Sequence, residues 1–130
     1  MILDTSFLID LMNRDTAAVS RAKALERTGE DLRVPAVSLF ELWRGVHLAA
    51  KTTQEAQKVT AILGGFPVAP LDAAAATRAG EVDAELVKQG AQIDPEDAMI
   101  AGIALVLGHP LLTRNARHFS RVPRLQVESY

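Results

Sequence analysis

Met1-Ile2-Leu3-Asp4-Thr5-Ser6 is an apolar run too short for a helix, and it stops on an acid and two hydroxyls. Such a run reads as a buried central strand that delivers Asp4 to the edge of a sheet. In open α/β sheets, ligands bind beyond the carboxyl ends of the strands, where the chain turns into the next helix. Asp4 stands at such a turn. A plainer reading makes Asp4 or Ser6 the N-cap of a helix over Phe7–Met12, because Asp and Ser are preferred there. Two more acids further along the chain bear on that choice.

Outward from this strand, helices and strands alternate. Thr16–Arg27 sets Ala17, Val19, Ala22, Ala24 and Leu25 among charges, as an amphipathic helix ending near Gly29. Leu32–Pro35 is a short second strand closed by a proline, which cannot donate to a ladder. Ser38-Leu39-Phe40-Glu41 has the spacing of a capping box, predicting a helix whose serine and glutamate satisfy its first backbone N–H groups. Leu39, Leu42, Val46 and Ala49 form its core stripe, and Trp43 lies off that stripe, half-buried or facing a partner. Thr52–Leu63 is another amphipathic helix, stopped by Gly64-Gly65. Phe66–Pro70 is a third strand near an edge, bracketed by prolines. Asp72 caps a long helix with Ala75, Ala79, Val82 and Leu86 on one face and Gly90 as its stop. Asp94-Pro95 starts the most apolar helix, with Asp97 at its mouth and Gly108 at its end. Pro110–Thr113 is a fourth strand, Arg114-Asn115 a turn, and a short helix runs to Ser120. Leu125–Val127 is a last edge strand. Alternation without a hairpin signal predicts an α/β fold with a parallel sheet between helical layers.

Composition narrows the function. At 130 residues, without repeats or linker-like tracts, the chain reads as a single domain over 1–130. It has no cysteine, which excludes thiol catalysis, thiolate metal sites and a disulfide framework. No basic leader precedes the first strand, and the longest apolar stretch, Ala98–Gly108, falls far short of the ~20 residues that span a bilayer. A soluble cytoplasmic protein is expected. The net charge of −2 argues against wholesale coating of nucleic acid. From Ala98 to Val127, however, there is no Asp or Glu, and Arg114, Arg117, Arg121, Arg124, His109 and His118 fall there. Such a run is a solvated face or a local phosphate-binding surface.

Asp4, Glu41 and Asp97 each read as first-turn residues of a helix. Each alone is explained by capping or by the helix dipole, worth ~0.3–1 kcal/mol. If the helices start around a common cleft, the carboxylates converge and repel one another unless a cation lies between them. Mg²⁺ or Mn²⁺ suits all-oxygen ligands, and no histidine pair at ligand spacing competes for zinc or copper. A carboxylate-held cation polarises a phosphodiester and acidifies a bound water, so the cluster points to phosphodiester hydrolysis.

Asp4-Thr5-Ser6 after the opening strand, Ser38-Leu39-Phe40-Glu41-Leu42, Asp97-Ala98-Met99-Ile100-Ala101-Gly102-Ile103-Ala104, and Leu112-Thr113-Arg114-Asn115 with Phe119 resemble the ordered motifs of PIN-domain ribonucleases. The compact length resembles, more narrowly, the VapC-type toxins of toxin–antitoxin modules. The resemblance runs from Met1 to about Val127. It implies a three-layer α/β/α fold on a mostly parallel sheet of four to five strands. It implies an Mg²⁺- or Mn²⁺-dependent endoribonuclease, with an RNA substrate, a VapB-type antitoxin and commonly a homodimer. Asp4 and Asp97 would be the principal metal ligands, and Glu41 would complete the site or orient the water. Thr5, Ser6, Thr113 and Asn115 would support them. Asp94 is an available further carboxylate that its proline neighbour instead marks as a cap. His118, with Arg114 and Arg117, would approach phosphate, or stand as a surface histidine. Many members of the family carry another acid near Asn115 and His118, which are neutral or weakly basic here, so a second tightly held metal is in question.

Two other classes compete. A phosphatase or phospho-acceptor domain would use Asp4 as nucleophile. Ser6 stands where a haloacid-dehalogenase-type enzyme needs its second acid, and Thr113-Arg114-Asn115 where a receiver-type domain wants a lysine. A catalytically weak PIN-like module that binds RNA or protein is the other alternative.

Overall fold

A computed structural model describes all residues, Met1–Tyr130. Five strands, each two residues long, alternate with seven helices. In chain order they are β1 (Ile2–Leu3), α1 (Thr5–Met12), α2 (Thr16–Arg27), β2 (Val34–Pro35), α3 (Ala36–Leu48) and α4 (Thr52–Leu63). There follow β3 (Val68–Ala69), α5 (Ala73–Lys88), α6 (Pro95–Leu107), β4 (Leu111–Leu112), α7 (Ala116–Phe119) and β5 (Val127–Glu128). No helix is long and apolar enough to cross a membrane.

Strands β1, β4 and β5 form one parallel set, and β2 and β3 another. The sets meet at a parallel bridge between Ile2 and Arg33, where Leu3 N–H donates to Arg33 O at 3.0 Å and Arg33 N–H to Met1 O at 3.0 Å. The spatial order is therefore β3-β2-β1-β4-β5. The chain builds outward from β1 to one side and then returns to lay β4 and β5 on the other. The crevice beyond the carboxyl ends of β1 and β4 is thus the topological switch point, where ligands bind in sheets of this kind.

Successive side chains of a strand point to opposite faces, and here they divide the core in two. Leu3 and Leu112 join Phe7, Leu8, Leu25, Leu42, Val46 and Val59 beneath α1–α4. Ile2 and Leu111 join Ala75, Ile100, Ile103 and Phe119 beneath α5–α7. The result is three layers. Helices α5 and α6 pack so closely that a Cβ on Gly102 would lie 2.6 Å from the Ala75 carbonyl oxygen and 2.8 Å from the Ala79 nitrogen. Small residues at 75, 79 and 102 thereby set how closely α6, which carries Asp97, approaches α5.

Several local expectations give way. The capping box at Ser38 and Glu41 does not form, because α3 begins at Ala36 straight off the strand, with Pro35 at its N-cap position. Ser38 and Glu41 are therefore the third and sixth residues of the helix, and Glu41 lies in its second turn. Asp94 occupies the N-cap position of α6, but its carboxylate makes no capping hydrogen bond. The last strand lies at Val127–Glu128 rather than Leu125–Val127, after Arg124 takes the left-handed conformation (φ 67°). Trp43 is half-buried against the core beneath α1–α4.

Candidate active site

The β1–α1 turn delivers Asp4 to the switch point, where it is 3 % exposed. Its backbone N–H donates to Leu112 O at 3.0 Å, locking it beside the end of β4. Its position is an N-cap, yet its side chain does not cap α1. Instead Oδ2 accepts from Ser6 Oγ at 2.7 Å and from Thr113 Oγ1 at 2.7 Å. Each of these hydroxyls in turn accepts a backbone N–H, from Arg114 to Ser6 at 3.1 Å and from Asn115 to Thr113 at 2.9 Å. Two short relays, amide to hydroxyl to carboxylate, therefore converge on one oxygen, and each bond polarises the next. With both hydroxyl protons committed to Asp4, the 3.2 Å contact between Ser6 and Thr113 has no proton to share.

Glu41 is held from across the cleft. Thr5 Oγ1 donates to Glu41 Oε1 at 2.8 Å. Ser38 Oγ lies 2.7 Å from Thr5 Oγ1 and is fully buried. Thr5 has a single proton and gives it to the carboxylate, so Ser38 must be the donor in that pair. Burial pushes the Glu41 carboxyl above the ordinary range, the Thr5 bond opposes this, and the charges of Asp4, Asp97 and Glu96 push it further up.

Asp97 lies in the first turn of α6, with Oδ2 2.9 Å from His118 Nε2 on α7. An ionised carboxylate only accepts, so the imidazole proton sits on Nε2 in that state. Asp97 is also raised, first by burial, against the pull of the His118 hydrogen bond, and further by Asp4 and Asp94. Glu41 and Asp97 thus each sense Asp4, and Glu41 senses Asp97. The three carboxylates therefore lie within electrostatic reach of one another.

A common pattern runs through all three. Asp4 binds protein through Oδ2 only, Glu41 through Oε1 only and Asp97 through Oδ2 only, leaving one oxygen of each free of protein partners. No three acidic or histidine side chains are grouped closely enough to hold an ion by themselves. The donor set is all hard oxygen, which suits a cation that keeps several waters and takes one or two carboxylates, as Mg²⁺ does.

The remaining expected site residues divide. Thr5, Ser6 and Thr113 are in the network. Asn115 reaches it only through its backbone N–H, and its side chain is exposed without a hydrogen bond. Asp94 is exposed and acts on Asp97 through its charge. The Arg114 guanidinium turns away to Asp10, which also accepts from Tyr130 Oη at 2.6 Å. Arg117 is exposed and in no ion pair. His118 contacts an acid of the site instead of standing free. Ser38 escaped the sequence reading, which had assigned its hydroxyl to a cap.

A cleft of about 480 Å³ opens beside Glu41, lined by Thr5, Ile9, Phe40, Glu41, Arg44 and Glu96.

Comparison with known proteins identifies the family and the fold. A family model described as PIN domain matches residues 1–125. The tRNA(fMet)-specific endonuclease VapC of Shigella flexneri is 35 % identical, over 99 % of this chain and 96 % of its own. Ribonuclease VapC2 of Rickettsia felis is 26 % identical over 99 % of this chain and 96 % of its own. Among solved structures, VapBC2 from Rickettsia felis bound to a promoter DNA fragment superposes with a TM-score of 0.92 at 25 % identity, covering 99 % of this chain and 97 % of that one. DNA-bound VapBC from Salmonella typhimurium gives 0.88 at 27 % identity, covering 98 % and 96 %.

Proposed function

The chain belongs to the PIN domain family as an endoribonuclease toxin of the VapC kind, and from that premise we propose that it hydrolyses RNA phosphodiesters at Asp4, Glu41 and Asp97 with a divalent cation. The observation that supports the site assignment is that three carboxylates sensing one another's charge are each bonded to protein through one oxygen and left without a protein partner at the other.

Asp4 and Asp97 would hold Mg²⁺ or Mn²⁺ through Oδ1, directly or through water. When bound, such an ion polarises the scissile phosphate and lowers the pKa of its water. The chain's own work is orientation. Ser6 and Thr113 fix the rotamer of Asp4 through two bonds to a single oxygen, which leaves Oδ1 without a protein partner. His118 does the same for Asp97 through one bond. Thr5, steadied by Ser38, holds Glu41 by Oε1 and leaves Oε2 to orient the attacking water and take its proton. Oε2, free of protein partners, is the acceptor available for that proton. Outer partners of this kind are commonly worth 10–100-fold in metal affinity or activity, as a rough guide.

The solved relatives are toxin–antitoxin complexes, which supports a VapB-type antitoxin as partner. A homodimer is the assembly we propose for the toxin, to be read from light scattering of the purified chain. The test of the enzyme is cleavage of a tRNA and messenger panel in Mg²⁺ and in EDTA, comparing wild type with Asp97→Asn. Metal-dependent cutting that the variant loses is expected. Cutting retained in EDTA or by the variant would refute the site.

The lack of a ready three-ligand grouping favours one competitor, a PIN-like module that binds RNA without cutting it. Calorimetry separates the two, because a non-catalytic module would take up neither Mg²⁺ nor Mn²⁺ at millimolar concentration.

A further inference from the structure

The cleft beside Glu41 has a wall that the hydrolytic chemistry leaves unused. Phe40 is 59 % exposed there, and Ile9 is 37 % exposed on the same cleft. Helix α3 buries Val37, Ser38, Leu42 and Val46 on its other side, so Phe40 contributes little to the core. Arg44 is one turn further along, on the same face as Phe40. It lies within reach of Glu41 and Glu96 along the cleft, yet it forms no ion pair.

We propose that Phe40 is the platform on which an unpaired base of the RNA substrate stacks, with Arg44 taking the adjoining phosphate. This deepens the ribonuclease reading and rests on it. Three features of the cleft choose a nucleotide over other occupants. Its apolar part is confined to Phe40 and Ile9, the size of one base and not of a helical stripe. A free guanidinium flanks the aromatic ring, matching a flat π-face next to a charged phosphate. The same cleft contains Glu41 and Thr5, so a base on Phe40 places its own backbone beside Glu41. Only an unstacked, single-stranded nucleotide offers such a face, so the substrate would be cut in a loop or an unpaired segment. Arg44 is the one cation lining this cleft, so it takes the phosphate adjoining the stacked base while the next phosphate along the strand lies toward Glu41.

The experiment uses the full chain and short unstructured oligoribonucleotides carrying 2-aminopurine at each position in turn. Stacking on Phe40 quenches the fluorescence of one position next to the cut, read in the Asp97→Asn background where the strand stays intact. Adding Phe40→Ala should abolish that quenching. In the otherwise wild-type enzyme, Phe40→Ala should raise KM roughly tenfold, the usual scale for one lost base stack, with Phe40→Tyr near wild type. At saturating RNA, kcat should stay within about twofold. Arg44→Ala should raise KM and flatten its dependence on salt. Unchanged KM in Phe40→Ala, or no quenched position, overturns the proposal. So does a Phe40→Ala chain that cuts RNA normally but loses affinity for its antitoxin, which would make the ring a protein contact. Failure of the platform leaves wild-type cleavage intact, whereas failure of the ribonuclease reading removes cleavage from every variant and takes the platform with it.

Discussion

Replacing Thr113 with valine tests the claim that Asp4 is held for chemistry. The side chain is fully buried, and its hydroxyl donates to Asp4 Oδ2 at 2.7 Å while accepting from Asn115 N–H at 2.9 Å. Valine keeps the shape and removes the relay. A hydrogen bond to a charged group is worth ~1.5–3 kcal/mol. The new buried methyl returns ~0.8 kcal/mol. Asn115 is exposed, so water replaces the acceptor its amide loses. The net cost is about 1–2 kcal/mol. With roughly 2.1 cal/mol/K of unfolding entropy per residue over this chain, that lowers Tm by about 4–8 °C. Thr113→Ser keeps the hydroxyl but loses a buried methyl, worth ~0.5–1.5 kcal/mol, so stability alone barely separates the two variants. Activity does. Serine should cut RNA nearly as well as threonine, while valine, with Asp4 held by Ser6 alone, should lose roughly 10–100-fold at fixed Mg²⁺. The assay is initial-rate cleavage at saturating RNA across a Mg²⁺ series, with folding checked by thermal melts. A valine variant within about twofold of wild type, or a serine variant as impaired as valine, would show that the relay does not position Asp4.

Other outcomes follow from the same geometry. Glu41 and Asp97 have raised folded-state pKa values, so their ionisation weakens the fold: the penalty is present above those values and relieved as pH falls through them. The urea midpoint of the metal-free protein should therefore rise from pH 7 toward pH 5, and Glu41→Gln with Asp97→Asn should flatten that slope. Mg²⁺ at about ten times its Kd should stabilise wild type by ~1.4 kcal/mol, or about 5 °C in Tm, and Asp97→Asn by clearly less. Gly102→Ala puts a Cβ against backbone that cannot step aside, costing ~1–3 kcal/mol from overpacking and regaining up to ~1 kcal/mol of helix propensity. Gly80→Ala, with nothing within 4 Å, should stabilise the chain in the same urea titration; equal signs for the two would refute the close α5–α6 approach.

The helices were legible because their signals are local. Thr16–Arg27 and Thr52–Leu63 coincide with α2 and α4 end to end, since period and breakers lie within the segments themselves. The first four strands were located but drawn too long, because an apolar run does not announce how much of it is paired, and the last was set two residues early. The order β3-β2-β1-β4-β5 has no local signature at all, and it alone brings Thr113 beside Asp4. Apart from Ser6, two residues from Asp4, the partners that aim the carboxylates lie far from them in the chain: Thr5 from Glu41, Thr113 from Asp4, His118 from Asp97. No spacing rule reaches across such separations. At Ser38 a spacing rule misled, because the S-x-x-E pattern was present while the helix had already begun at Ala36.

The aspartates at helix starts contain their own control. Asp4, Asp15, Asp72 and Asp94 all stand at N-cap positions, and by residue type and place they are indistinguishable. Asp15 and Asp72 accept from the backbone N–H three residues on, each at 2.9 Å. Asp4 and Asp94 forgo that bond, although a cap is typically worth ~1 kcal/mol. Neither of the two that cap bonds to Asp4, Glu41 or Asp97, whereas both that do not cap act on Asp97 by their charge. Since the local preference is the same for all four, the difference must come from what the surroundings demand of the carboxylate. At Asp4 that demand is visible, because two hydroxyls from separate elements outbid the helix for a single oxygen. A sequence that places a good cap and a structure that declines to use it mark a site where local stability yields to function.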